Sequence, residues 1–316
     1  MSDSKPTAPT LEPAPLEPLH RETGGSTAAV RGRVEKTYKL YVGGQFPRTE
    51  SGRSLPFPDP ASGERPYANI CRASRKDFRD AVVQARAAQA GWARRSAYNR
   101  AQILYRAAEM LEGRAAQFEE ELRIEGLAAA EASAEVAAAV DRLVYYAGWA
   151  DKVQQVFSSV NPVASSHFNF SILEPTGVVA AVAPDESRLL GLVSVLAPIV
   201  VGGNTVVALA GAHGPLSAIT FGEVLHTSDL PGGVVNLLTG QREELLPHFA
   251  SHRDVNALVL CGGDSDLRQK AEREAVDNLK RFVHHPERDW SNPELENPYL
   301  ILETQEVKTT WHPIGS

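Results

Sequence analysis

Cysteine is nearly missing: Cys71 and Cys261 are the only two in 316 residues. Two thiols cannot build a disulfide framework, and no CxxC pair is present for metal or redox work. A reduced, cytoplasmic setting is therefore expected. A basic excess is missing too, since 32 Lys and Arg face 39 Asp and Glu for a net charge of −7. Nucleic-acid surfaces show the opposite balance, so no nucleic acid partner is expected. The longest apolar run, 189–201, is interrupted by Ser194 and Pro198 and is too short to span a bilayer. With no apolar stretch of the signal-peptide kind at the N-terminus, no membrane association is expected. The histidine pair His284-His285 has no second Cys/His cluster to complete a metal site, so it reads as a solvated pair and no metal is expected.

What is present is core-forming material, at 43% hydrophobic residues. Residues 1–36 stand apart. They hold five prolines in the first twenty positions, then Gly24-Gly25-Ser26, with no hydrophobic periodicity, and read as a disordered arm. Order is expected from Tyr38, with a short hairpin turning at Gly43-Gly44 and a punctuated loop through Asp59-Pro60 and Gly63. Ser74 and Asp77 stand in capping-box register ahead of a helix whose Phe78, Ala81, Val82, Ala85, Ala88 and Trp92 share one face. One further helix carries Leu104, Ala108, Leu111, Ala115, Phe118 and Leu122, and another carries Val136, Val140, Leu143 and Ala147.

The texture changes at Gly177. Short β-branched runs at 177–182, 204–208, 234–238 and 257–260 alternate with helix-length segments at 188–201, 215–227 and 243–251. Repeated strand–helix–strand units predict an α/β fold, a doubly wound parallel sheet covered on both faces. Residues 268–280 could form a charged helix, and 306–312 a last exposed strand.

A doubly wound sheet invites a dinucleotide, yet no GxGxxG follows the first strand and no P-loop occurs anywhere. Gly262-Gly263, after the strand ending at Leu260, could offer backbone N–H groups to a phosphate, although turn glycines are common. Cys261 ends a strand but has no nearby histidine in sequence to activate it, so core packing is the simpler reading.

Taken together these segments resemble the aldehyde dehydrogenase superfamily. The resemblance runs through Lys39-Leu40-Tyr41-Val42-Gly43-Gly44, Asp80-Ala81-Val82, Gly91-Trp92 and Tyr145-Tyr146-Ala147-Gly148. It continues through Glu174-Pro175-Thr176-Gly177-Val178-Val179, Gly203-Asn204-Thr205-Val206-Val207, Pro231-Gly232-Gly233-Val234-Val235-Asn236 and Ser251-His252-Arg253-Asp254-Val255. It implies the family's nucleotide-binding domain over 37–267, with an oligomerisation hairpin near 157–173. It also implies a linker with a C-terminal oligomerisation strand over 268–316.

The functional positions depart from the family. The stretch that carries the family's oxyanion-donating Asn reads Pro184-Asp185-Glu186-Ser187-Arg188, so Glu186 puts a carboxylate where an amide is needed. The Lys-Pro-Ser-Glu that holds the adenosine ribose reads Leu209-Ala210-Gly211-Ala212, losing both the charge and the carboxylate. Pro184, Gly262 and Gly263 are the remnant cofactor-binding positions, and Cys261 takes the place of the pyrophosphate-turn Thr. The general-base Glu, the nucleophilic Cys and the catalytic domain are expected to be absent, leaving no catalytic residue. Tail residues Val307, Lys308 and Trp311 match the family's oligomerisation strand, in a segment with no later strand of its own chain to pair with.

The resemblance implies NAD(P), and these losses predict weak or absent binding. The expected role is a non-catalytic subunit forming a homo-oligomer, or a hetero-oligomer with a full-length aldehyde dehydrogenase. Two readings from other classes are an NAD(P)-dependent oxidoreductase completed by a partner chain, and a nucleotide- or metabolite-sensing module.

Overall fold

Three short strands, β1 (Lys36–Tyr38), β2 (Ser54–Pro58) and β3 (Pro66–Cys71), form a small sheet in the order β1-β3-β2. The computed structural model describes residues 35–60 and 66–315. The expected arm, but for its last two residues, and Gly63 lie outside them. Helices α1 (Arg75–Ala93), α2 (Ala97–Glu112), α3 (Ala115–Ile124), α4 (Ala129–Trp149) and the short α5 (Val153–Phe157) follow. Ser74 caps α1 as expected: its hydroxyl accepts from the Lys76 and Asp77 N–H groups, and the Asp77 carboxylate accepts in turn from the Ser74 N–H.

Strands β4 (Ser159–Asn161) and β5 (His167–Pro175) come next. Strict alternation then begins with β6 (Val178–Val182), α6 (Leu189–Val201), β7 (Thr205–Leu209), α7 (Pro215–His226) and β8 (Val235–Leu238). It continues with α8 (Arg242–Ser251), β9 (Ala257–Cys261), α9 (Ser265–Ala275) and β10 (Arg281–His285), and the described chain ends with α10 (Tyr299–Leu302) and β11 (Gln305–Pro313). The central sheet is parallel throughout, in the order β10-β9-β6-β7-β8. Every residue of β6, β7, β8 and β9 is buried, which explains the continuous β-branched runs in place of alternation. Val179, Ala181, Val206 and Ala208 face a layer containing α2, α4, α6 and α7. Val178, Ala180, Val182 and Val207 face α1, α8 and α9. The chain is an α/β protein with helices on both faces of a parallel sheet, as the alternation predicts.

Several expectations are corrected. The single stripe over 104–122 is two helices, because α2 stops at Gly113 and α3 starts afresh after Arg114. The hairpin at 39–46 shrinks to one bridge, Val42 with Gln45, while Tyr41 bridges Leu237 of the central sheet. The boundary expected at 267 falls inside α9, since the fifth strand of the sheet, β10, lies beyond it and pairs in parallel with β9. The expected solvated pair His284-His285 ends that strand, with His285 only 7% exposed. β10 is an edge strand with polar residues, so it lacks the apolar signature of the inner four.

The tail strand β11 pairs with an earlier strand of its own chain, antiparallel to β5 along its whole length from Gln305 opposite Pro175 to Pro313 opposite His167. The result is a separate sheet, β11-β5-β4. Its partner lies far upstream in sequence, where no local pattern points to it.

Candidate functional site

In open parallel sheets, ligands bind beyond the carboxyl ends of the strands, where the order reverses. Here the reversal lies at β6, flanked by β9 and β7. The loops after β6, β7, β8 and β9 enclose a crevice of about 300 Å³ lined by Asp185, Leu209, Ala212, Arg242, Gly263 and Asp264 among others. Pro184, Leu209, Ala212, Gly262 and Gly263, scattered in sequence, are thus brought to one end of the sheet.

The crevice satisfies itself. The Asp185 carboxylate accepts from the Ala212 N–H at 2.6 Å and pairs with the Arg242 guanidinium at 2.9 Å. Its carbonyl lies 3.1 Å from His213 Nδ1. Arg242 also donates to the Ala183 carbonyl at 3.3 Å, which sets it across the mouth of β6. The β6 and β7 loops touch backbone to backbone: a methyl group at Gly211 would collide with the Pro184 carbonyl oxygen.

Gly262 and Gly263 both have positive φ, 62° and 89°, which glycine adopts without strain. The Gly262 N–H, however, donates to the His285 carbonyl at 2.8 Å, so β10 takes the donor expected to face a phosphate. Leu209 is 1% exposed, belongs to the same buried cluster as Phe78 and Leu238, and lines the crevice with an apolar side chain. Carboxylates of Asp185, Glu243 and Asp264 line the crevice, its one Arg is paired, and the Ala212 and Gly262 N–H groups are already spent.

The Glu186 carboxylate accepts from Trp290 Nε1 at 3.0 Å and from the Arg288 N–H at 3.4 Å. Trp290 is 2% exposed, and its carbonyl accepts from Arg142 of α4 at 3.3 Å. Glu186, itself exposed, therefore anchors the segment after β10. That segment is further held by Tyr146, whose hydroxyl donates to the Asn297 carbonyl at 3.2 Å. His285 ties it in as well, pairing with Glu303 at 3.1 Å and lying 2.8 Å from Arg288.

Cys261 and Cys71 are both buried. Burial pushes the Cys261 thiol well above its ordinary range, so it carries no nucleophilic thiolate. Among the described residues, no group of three or more His, Cys, Asp or Glu side chains is placed to hold a metal. No helix among them is long and apolar enough to cross a membrane. In the tail sheet Val307 and Trp311 are 67% and 57% exposed, and Lys308 pairs with Glu174 of β5 at 3.0 Å.

Sequence reasoning missed Asp185, Arg242 and Trp290. Arg242 sits at a helix start with no motif around it. Trp290 did leave a signal, since a lone Trp in a Pro-broken stretch seeks burial and a partner for its N–H.

The Aldehyde dehydrogenase family model matches residues 47–285. A hydroxyisobutyraldehyde dehydrogenase of Mycolicibacterium austroafricanum is 34% identical over 236 residues, 73% of this chain and 45% of that protein. Retinal dehydrogenase 2 of Gallus gallus is 31% identical over 256 residues, 78% of this chain and 48% of that protein. Among solved structures, the NAD+ complex of an aldehyde dehydrogenase from Bacillus cereus shares the fold with a TM-score of 0.74 at 23% identity, covering 79% of this chain and 50% of that one. HpcC from Thermus thermophilus gives 0.74 at 28% identity, covering 79% and 48%. The chain spans about half the length of the curated relatives it matches. With two thirds or more of its residues aligned at these identities, and the family's α/β sheet in place, the chain belongs to the aldehyde dehydrogenase family.

Proposed function

We propose that this chain is a non-catalytic aldehyde dehydrogenase family subunit, assembling with itself or with a full-length NAD(P)-dependent aldehyde dehydrogenase. One observation carries the reading: Glu186, at the position the family resemblance gives to the oxyanion donor, spends its carboxylate on Trp290 Nε1 and the Arg288 N–H. A fixed negative charge there opposes a developing oxyanion, and its neighbour Asp185 closes the nucleotide crevice with Arg242. The buried thiol of Cys261 supports the same reading. NAD(P) binding is weak or absent on this view, because Leu209 and Ala212 offer no polar side chain to a ribose.

The test is the purified chain with NAD or NADP and a panel of aliphatic and aromatic aldehydes, alongside calorimetric titration of each cofactor. No NAD(P)H formation and no saturable heat are expected. Turnover would overturn the proposal. Turnover lost in Cys261→Ala would show in addition that the thiol reacts. A dissociation constant of about a micromolar, some 8 kcal/mol of binding free energy, would contradict the closed crevice.

A further inference from the structure

We propose that the cleft between the start of α1 and α8, lined by other residues than the nucleotide crevice, binds a small phosphorylated anion. The cleft encloses about 480 Å³, within the ~300–1,000 Å³ of ordinary small-molecule sites. Arg75, Lys76 and Arg79 enter it from α1, Arg53 from the loop before β2, and His248 from α8. Two carboxylates, Glu50 and Glu244, share the lining. This concentration of cations stands out on a chain whose net charge is −7.

The cations are not all neutralised. Lys76 pairs with Glu50 at 2.9 Å, Arg79 with Asp80 at 2.9 Å, and Arg72, next to the cleft, takes Glu244. Arg75 has no carboxylate partner among the described residues, and Arg53 donates to the Ser51 hydroxyl at 3.4 Å. A guanidinium presents a planar fork of donors that matches phosphate oxygens in pairs. Ala73 and Leu245 are the only apolar side chains in the lining, so the cleft has no apolar slot for an aromatic base. That selects a compact polyanion over a nucleotide.

The walls are held in place from beneath. Phe78 of α1 stacks on Phe249 of α8 with ring centroids 4.1 Å apart, and both rings are fully buried. The field of the cleft is already felt by His248, whose pKa is lowered by its burial and then by the charge of Arg75. Arg53, Arg75, Lys76 and Arg79 all face it with positive charge, against Glu50 and, on its own helix, Glu244. An anion among these groups offsets the repulsion, so the His248 pKa rises on binding.

The experiment titrates the full chain with inorganic pyrophosphate at low ionic strength by calorimetry, with inorganic phosphate and glucose 6-phosphate as further arms. Saturable one-site binding is expected, with the His248 ring resonances in NMR reporting a raised pKa in the bound state. Arg53→Gln with Arg75→Gln, both exposed and away from the core, should weaken binding about tenfold or more, since two charge-assisted contacts are lost. Arg106→Gln, an exposed arginine of α2, should leave it unchanged. A phosphosugar binding more tightly than inorganic phosphate supports a metabolite as the occupant, and the reverse supports free phosphate or pyrophosphate. Unchanged affinity in the double variant overturns the site. So does a short polyglutamate peptide that matches pyrophosphate, because diffuse surface charge would then suffice.

Discussion

Glu125 is a carboxylate doing a cap's work at a distance. The start of α7 has Gly214 in the cap position, with no side chain to accept from its first N–H groups. Glu125 supplies the acceptor from the end of α3, taking the Leu216 and Ser217 N–H groups at 2.6 and 3.0 Å and the Ser217 hydroxyl at 2.7 Å. Burial outweighs these bonds and raises its pKa from 4.5 to about 8. Burial also raises its neighbour Glu121. Between 4.5 and about 8 the folded chain holds a proton that the unfolded chain has released. The stability this brings is complete below the unfolded value and is lost as pH rises through the folded one. Glu125→Gln keeps an acceptor for α7 without a charge, so its urea midpoint should vary less than wild type across that window. At about pH 9 it should exceed wild type, by at most about 5 kcal/mol, since each pKa unit is worth ~1.36 kcal/mol. A slope that survives in Glu125→Gln and vanishes in Glu121→Gln would move the effect to Glu121.

The same scale decides what would reopen the nucleotide crevice. Leu209→Lys with Ala212→Glu restores family residue types, yet Leu209 is core and the Ala212 N–H belongs to Asp185. That pair of changes should leave NAD affinity flat and lower the melting temperature. Adding Asp185→Ala frees Arg242 and the amide, and calorimetry should then register binding that Asp185→Ala alone enhances only in part. A gain from the first two substitutions without the third would show that Asp185 does not close the site.

Among the elements, the stretch 286–297 holds one short 3-10 turn, Pro293–Leu295, and gains the rest of its order from a few anchors. Trp290 is the largest of them, buried beside His285 and bonded to Glu186. Trp290→Ala removes a buried aromatic and leaves the Glu186 carboxylate without its indole donor, a loss of about 3–5 kcal/mol. Limited proteolysis should then cut first within 286–297 while the central sheet stays protected. Cleavage elsewhere first would mean that the segment is held by Arg142 and Tyr146 instead. Elements of the central sheet were legible in the sequence because β6 to β9 are buried on both faces and say so in short runs dominated by Val, Ala and Leu. Ser74 with Asp77 marked the start of α1 through local hydrogen bonding alone. β10 and the closed crevice were not legible. An edge strand needs no apolar run, and Asp185 with Arg242 is a contact between loops that only the fold brings together. Glu186 could be read as a misplaced charge, but its partner Trp290 lies more than a hundred residues away.

For the whole molecule, the tail sheet is the surface that asks for a partner. β11 is nine residues long and uses one edge on β5, while its other edge has no partner strand among the described residues. Such an edge invites pairing with another chain. Val307 and Trp311 lie on one face of it, and Phe168, Phe170 and Val160 gather on the other. This is the surface through which the proposed assembly would form. Deleting 299–316 is the direct test, expected to lower the mass seen by light scattering while circular dichroism keeps the helix and sheet signal of the central domain. The deletion also strips Thr304 from Asn204, whose amide donates to its carbonyl at 2.9 Å, so some loss of stability will accompany it. Val307→Asp with Trp311→Asp separates the two effects, because both side chains are exposed and the β5 ladder is backbone. That variant should keep the wild-type melting temperature within a few degrees and still fall in mass, since charges on the exposed face hinder association. A mass unchanged in both variants would remove the tail sheet from any interface, and with it the main support for an assembly role.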